Sequence, residues 1–245
     1  MNSFQNALIL SGIAGLSSLI GFLFIFININ NTKKFLSFII SFSLIIMLCI
    51  SLFDLIPEAL NYLSVSSALT GITIFFIIFY LTNLIFKKID NEIEGDSLYN
   101  LGLLSCICLF IHNIPEGILT FNASLVDFHL GLKICLAIAL HNIPEGIAVA
   151  VPVYYAGKGK GRAFFLSLTS SVSEPIAGVI SFIIPKNYIN NALVSIMMIF
   201  AASLMIFLSV FRLYPEVLTY KEKKSMYYGF VIGFILFIIS NFILG

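Results

Sequence analysis

Eight apolar stretches, at residues 4–27, 36–60, 67–86, 98–121, 131–154, 163–184, 191–213 and 227–244, take up most of this chain and restrict it to a bundle of helices in lipid. Each is close to the roughly 17 to 25 residues that a helix needs to cross the hydrocarbon core. A helix is the natural spanning form there, because it satisfies its own backbone hydrogen bonds where water is absent. Of the 245 residues, 60% are hydrophobic and 10% charged, against roughly 45–50% and about 25% in a soluble domain, so no water-soluble core explains the balance. The expected fold is an all-α membrane protein of eight transmembrane helices, a single domain over residues 1–245.

Charge placement orients the bundle, since short cytoplasmic loops collect Lys and Arg. Lys33 and Lys34 follow the first run, Lys87 and Lys88 the third, Lys158, Lys160 and Arg162 the fifth, and Arg212, Lys221, Lys223 and Lys224 the seventh. Only Lys133 and Lys186 fall on the other side, so both termini are predicted outside. Basic residues spread this thinly over loops form no nucleic-acid-binding face. No Lys or Arg precedes the first run, which is therefore read as a retained helix, not a cleaved signal. Cys49, Cys106, Cys108 and Cys135 lie in apolar runs, where a free thiol packs as a small hydrophobe.

The hexapeptide HNIPEG occurs twice inside these runs, at 112–117 and 141–146. In each copy His and Glu stand four residues apart, on one helical face: His112 with Glu116, and His141 with Glu145. An ionisable group at the centre of a bilayer costs roughly 2.5 to 3.5 kcal/mol on insertion scales, so it marks a functional site by default. Pro115 and Pro144 lack a backbone N–H and leave the carbonyls of Ile111 and Leu140 without helical partners, so each helix is expected to bend beside its His.

A fainter repeat speaks to architecture. FDLIPEAL at 53–60 ends the second run and FRLYPEVL at 211–218 ends the seventh, and under the predicted topology these runs point in opposite directions. Matching segments on opposite faces are the signature of an inverted repeat, here read as three, two and three helices, with the substrate site near the midplane.

Imidazole nitrogen, carboxylate oxygen and the amide oxygens of Asn113 and Asn142 form a borderline donor set that suits divalent first-row metals such as Zn2+, Fe2+, Mn2+ or Co2+. Calcium and magnesium would call for oxygens only. A His and Glu proton relay, or an organic-cation carrier, is the rival reading, although a relay gives no reason for two neutral Asn residues. An intramembrane metallohydrolase would need the Glu of HExxH directly after its His, where this chain has Asn113 and Asn142, so no enzymatic activity is expected.

Two HNxPEG-type motifs on the fourth and fifth of eight runs resemble the ZIP (Zrt/Irt-like) divalent-metal transporters, in particular their GufA-like prokaryotic branch. The likeness extends to Met47 seven residues before Asp54, to SEPIAG at 173–178 and to GFVIGF at 229–234. The resemblance implies a passage between the second, fourth, fifth and seventh runs, and a primary transport site of Met47, His112, Glu116, His141 and Glu145. It places Asn113 and Asn142 at a second site, bridged to the first by Glu116 and Glu145. It further implies zinc uptake into the cytoplasm, without a prosthetic group, by an elevator-like shift of runs one, four, five and six. A thioether ligand from Met47 would favour zinc, iron or cadmium over hard ions. A homodimer is compatible with this reading, but no residue specifies one.

The chain departs from that family in one place. Many members carry a carboxylate three residues before the Pro of the seventh-run segment, where this chain has Arg212, and some have Asp in place of Asn142. A second metal is therefore expected to be weak or absent. Arg212 either replaces some of the missing second-site charge or anchors at the inner surface as a snorkelling cation. Asp54 and Glu58 are candidates for a cation-attracting entrance, and Glu216 for an exit. Glu174, beside Pro175 and Ser173, is read chiefly as a structural hydrogen-bond partner, and His129 as solvated. Asp90, Glu92, Glu94 and Asp96 read as a solvated connector, and GKGKGR at 157–162 as a flexible turn.

Overall fold

The computed structural model describes residues 2–92, 97–184 and 190–244, with side chains described outside 82–92 and 243–244. The acidic connector 90–96 and Lys87, Lys88 and Lys186 of the topology argument lie outside the described side chains. All regular structure among the described residues is helical.

Helix α1 (Ser3–Leu16) starts at a capping box in which Asn2 Oδ1 accepts from the Gln5 amide and Gln5 Oε1 accepts from the Asn2 amide. It continues through α2 (Ser18–Phe22) into a 3₁₀ turn at Leu23–Phe26. Asn31, Asp127 and Asn190 cap α3 (Thr32–Cys49), α7 (Phe128–Val153) and α10 (Asn191–Leu208) through side-chain oxygens. Short polar side chains thus satisfy orphan amides where an apolar run begins. Between them run α5 (Val65–Glu92) and α6 (Ser97–Val126).

The two PE segments share a local geometry. Ile50–Leu55 and Ser209–Leu213 each form a π-turn, followed by a short helix with Pro in its first turn: α4 (Ile56–Ala59) and α11 (Tyr214–Thr219). Pro57 and Pro215 remove one donor each, and a widened turn just before them absorbs the mismatch. By contrast Pro115 and Pro144 lie inside α6 and α7, which stay helical on both sides. Loss of one hydrogen bond within a long helix is tolerated when neighbouring elements supply polar partners. Beside that site, although not at the freed Leu140 carbonyl, Ser43 Oγ donates to the Pro144 carbonyl at 2.7 Å.

A third π-turn, Tyr154–Lys158, carries Gly157 at φ 75°, and Gly159 follows at φ 81°. These left-handed conformations end α7 and start α8 (Gly159–Ser171), which Val172 separates from α9 (Ser173–Ile183). Six helical segments among the described residues are long and apolar enough to cross a membrane: Ser3–Phe26, Thr32–Ala59, Ser97–Val126, Phe128–Ile183, Asn191–Thr219 and Lys223–Phe242. The 56-residue Phe128–Ile183 segment includes the break at Gly157. Val65–Leu81 is a shorter apolar helix.

Glycines decide which helices touch backbone to backbone, as is usual in lipid, where close approach replaces the hydrophobic drive. A Cβ on Gly15 would meet the Ser171 carbonyl, on Gly117 the Glu174 carbonyl, and on Gly146 the Ser18 carbonyl. These contacts weld α1, α2, α6, α7, α8 and α9 into one group. On the last helix, α12 (Lys223–Leu244), Gly229 and Gly233 face the Phe38 and Phe42 carbonyls and seat it on α3. The apolar core spans both groups, with Ile39, Ile40, Met47, Leu109, Ile147 and Leu208 all buried.

Candidate metal centre

Helices α6 and α7 pack side by side and carry the two HNIPEG copies. His112 Nε2 lies 3.3 Å from Glu116 Oε1, one turn away on the same helix, and 3.5 Å from Glu145 Oε1 across the helix interface. Ligand atoms of these three buried residues all fall within 4.8 Å of one another, the one such His/Cys/Asp/Glu group among the described residues. Donors bound to one zinc at about 2.0–2.2 Å stand roughly 3.4 Å apart, so small rotamer changes would close the group around an ion. Glu116 Oε2 and both Glu145 oxygens are buried without a hydrogen bond. Buried carboxylates are costly unless paired or bound to metal.

The second His goes elsewhere. His141 is half-buried, with Nε2 3.9 Å from Asp54 Oδ2. A cavity of about 500 Å³ joins it to the group, lined by Asp54, Glu58, Asn61, Glu116, His141 and Met198. Asp54 reaches this cavity from the π-turn at Ile50–Leu55, and α10, packed against that turn and α4, supplies Met198. Glu58 Oε2 accepts from Asn61 Nδ2 at 3.1 Å. A groove of about 540 Å³ between α5 and α10 is lined by Ser66, Ser67, Thr70 and apolar side chains, and lacks a donor set for a transition metal.

Met47 is fully buried on α3 in the main apolar cluster, which also contains Cys108, Leu109 and Ala148. The two Asn residues point their amides toward the α1 and α8–α9 side. Asn113 Nδ2 donates to the Ser170 carbonyl at 3.1 Å, and Asn142 Nδ2 to the Ala14 carbonyl at 2.8 Å and to Glu174 Oε1. Asn113 Oδ1, Asn142 Oδ1 and Glu174 Oε2 remain buried without a hydrogen bond. Glu174, in the first turn of α9, thus accepts from a residue of the second HNIPEG copy.

Arg212 is half-buried and within electrostatic reach of Cys108, one turn before His112. Glu216 Oε1 accepts from the Tyr220 hydroxyl at 2.7 Å, and His129 is exposed beside Phe128. All four cysteines are buried and free, and Cys106 and Cys135 donate to the carbonyls of Leu166 and Leu10. Three polar contributors escaped the sequence reading: Ser43, the Ala14 carbonyl, and Asn241, whose Nδ2 donates to Asp54 Oδ1 at 3.0 Å. Only Asn241 left a sequence signal, as a lone amide in the last apolar run.

A model of the ZIP zinc transporter family matches residues 86–241, which hold both HNIPEG copies. Proteins named zinc transporter ZupT match over nearly the whole chain. The one from Streptococcus mutans is 33% identical over 252 residues, 96% of each chain. That of Oceanobacillus iheyensis is 33% identical over 267 residues, covering all of both. This chain belongs to the ZIP family. ZIP membership accounts for polar hexapeptides buried in membrane-length helices, and the chain is an integral membrane protein and not an enzyme. A third ZIP relative, from Clostridium perfringens, is 30% identical over 274 residues, 98% of this chain.

Proposed function

We propose that this chain carries divalent transition-metal cations, zinc foremost, across the cell membrane into the cytoplasm. The observation that carries the reading is the convergence of His112, Glu116 and Glu145, from two helices, within 4.8 Å. One nitrogen and two carboxylates form a donor set for zinc, and also for iron, manganese, cobalt or cadmium, all of which would be carried as substrate. The relatives matched over nearly their full length bear the name zinc transporter.

In this reading Asp54 and Glu58 attract the cation at the mouth of the 500 Å³ cavity, and His141 meets it next. His112, Glu116 and Glu145 then replace its remaining water, with Met47 as a soft ligand. Two carboxylates offset the dipositive charge where the bilayer could not. Asn113, Asn142 and Glu174 form a neighbouring polar zone that binds a second ion weakly, if at all. Arg212 and Glu216 lie on the exit side.

The whole chain acts as one domain with eight crossings, arranged as three, two and three helices with both termini outside. The shared π-turns before Pro57 and Pro215 support the repeat. The glycine contacts support a moving body of α1, α2 and α6 to α9 sliding against the remainder, because a backbone-welded group travels as a unit.

Radioactive zinc uptake into proteoliposomes tests the reading, with a Glu116→Gln/Glu145→Gln variant beside the parent. Uptake by the parent alone supports it. Failure of the parent with zinc, iron, manganese and cadmium would turn the assignment toward a proton relay.

A further inference from the structure

We propose that Asn241, near the end of the last helix, is a positioning residue that aims the Asp54 carboxylate at His141 and so sets how tightly the mouth of the site holds an arriving divalent cation. The proposal rests on the transport reading above and adds a residue that neither the HNIPEG motifs nor the PE segments contain.

Asn241 Nδ2 donates to Asp54 Oδ1 at 3.0 Å. That contact takes up one carboxylate oxygen and leaves Oδ2, which is buried without a hydrogen bond and stands 3.9 Å from His141 Nε2. Asp54 sits inside the π-turn Ile50–Leu55, where the backbone departs from regular α geometry. A hydrogen bond to one oxygen restricts its rotation and presents the other toward the imidazole.

The amide comes from a firmly placed element. Gly229 and Gly233 hold α12 against the Phe38 and Phe42 carbonyls of α3, the helix that leads directly into that π-turn. Helix α12 therefore keeps its register to Asp54. The adjacent residue, Ser240, is buried and lines a cavity of about 170 Å³ together with His141, Pro144 and Phe237. The end of α12 thus flanks both members of the Asp54–His141 pair. A polar amide in an apolar helix is expensive to retain without a partner, and Asp54 is the partner it has.

Initial zinc uptake rates across a concentration series separate this role from simple helix anchoring. Asn241→Leu should raise KM about three- to tenfold with Vmax within about twofold, as expected when a hydrogen bond of ordinary net strength is removed from a binding step. Asp54→Asn should raise KM at least as much, and the double variant no further, since the amide acts only through that carboxylate. Asn241→Gln should recover part of the loss, and Phe242→Ala, at a neighbouring side chain that is 91% exposed, should leave KM unchanged. An unchanged KM in Asn241→Leu, or multiplicative effects in the double variant, would overturn the proposal.

A second readout does not depend on transport. In the detergent-purified Glu116→Gln/Glu145→Gln background, equilibrium dialysis with radioactive zinc should find residual binding that weakens about threefold or more on adding Asn241→Leu. Unaltered affinity, or no residual binding, would count against the positioning role even if the parent moved no metal in vesicles. That vesicle result would by itself sink only the transport reading.

Discussion

His112 and Glu145 belong to different helices, α6 and α7, yet Nε2 of the first stands 3.5 Å from Oε1 of the second. This contact turns two separate hexapeptides into one candidate centre. It also breaks their equivalence: the first His joins both glutamates, whereas the second, His141, faces Asp54 at the cavity.

Removing one carboxylate should therefore cost most of the activity. Glu116→Gln or Glu145→Gln is expected to lower zinc uptake by more than about tenfold, since perturbing even residues behind the ligands costs 10- to 100-fold in other metal sites. His141→Ala is expected to raise KM more than it lowers Vmax. Rates in proteoliposomes would check both.

Acidification should weaken zinc binding. A protonated imidazole offers no lone pair to a metal, and protons compete for the carboxylates as well, so affinity is full at higher pH and is lost as pH falls. Dialysis at several pH values between about 5.5 and 8 brackets the ordinary titration of His. Affinity rising with acidity would contradict ligation by His112.

Packing of the welded helix group predicts a stability difference between glycines. Gly146→Ala should destabilise by about 1–3 kcal/mol, because its Cβ would press into the Ser18 carbonyl and rigid backbone cannot yield cheaply. Gly12→Ala, with nothing within 4 Å of the added carbon, should be neutral or mildly stabilising. Thermal unfolding in detergent distinguishes them.

Arg212→Glu should leave zinc stoichiometry at one per chain. Arg212 comes from the π-turn Ser209–Leu213, whereas the amides of Asn113 and Asn142 bond to Ser170, Ala14 and Glu174. With those amides already engaged on the α1 and α8–α9 side, a carboxylate at 212 is not expected to recruit them to a second ion. Two zinc ions per chain in the variant, by elemental analysis, would show instead that position 212 had been suppressing a second site.

Much of this protein can be read along the chain. Apolar runs announce helices, and Asn31, Asp127 and Asn190 announce where three of them begin, because a cap acts within a few residues. Spacing of four residues puts His112 and Glu116 on one face without any knowledge of the fold. The effect of the prolines was less legible. Pro115 and Pro144 look like the stronger breakers, yet the π-turns form before Pro57 and Pro215.

By itself the sequence determined that the chain spans lipid as helices and that two hexapeptides carry nitrogen and oxygen atoms of the kind a transition metal takes, since helix periodicity and donor chemistry are local properties. Only the tertiary structure decided that His112 meets both glutamates while His141 meets Asp54, and that Asn241 from the far end of the chain bonds to that carboxylate. Those choices depend on the register between helices, which is set where Gly117, Gly146, Gly229 and Gly233 let backbones approach. A side chain four residues away is placed by helix geometry, but one on another helix is placed by how closely the two helices pack.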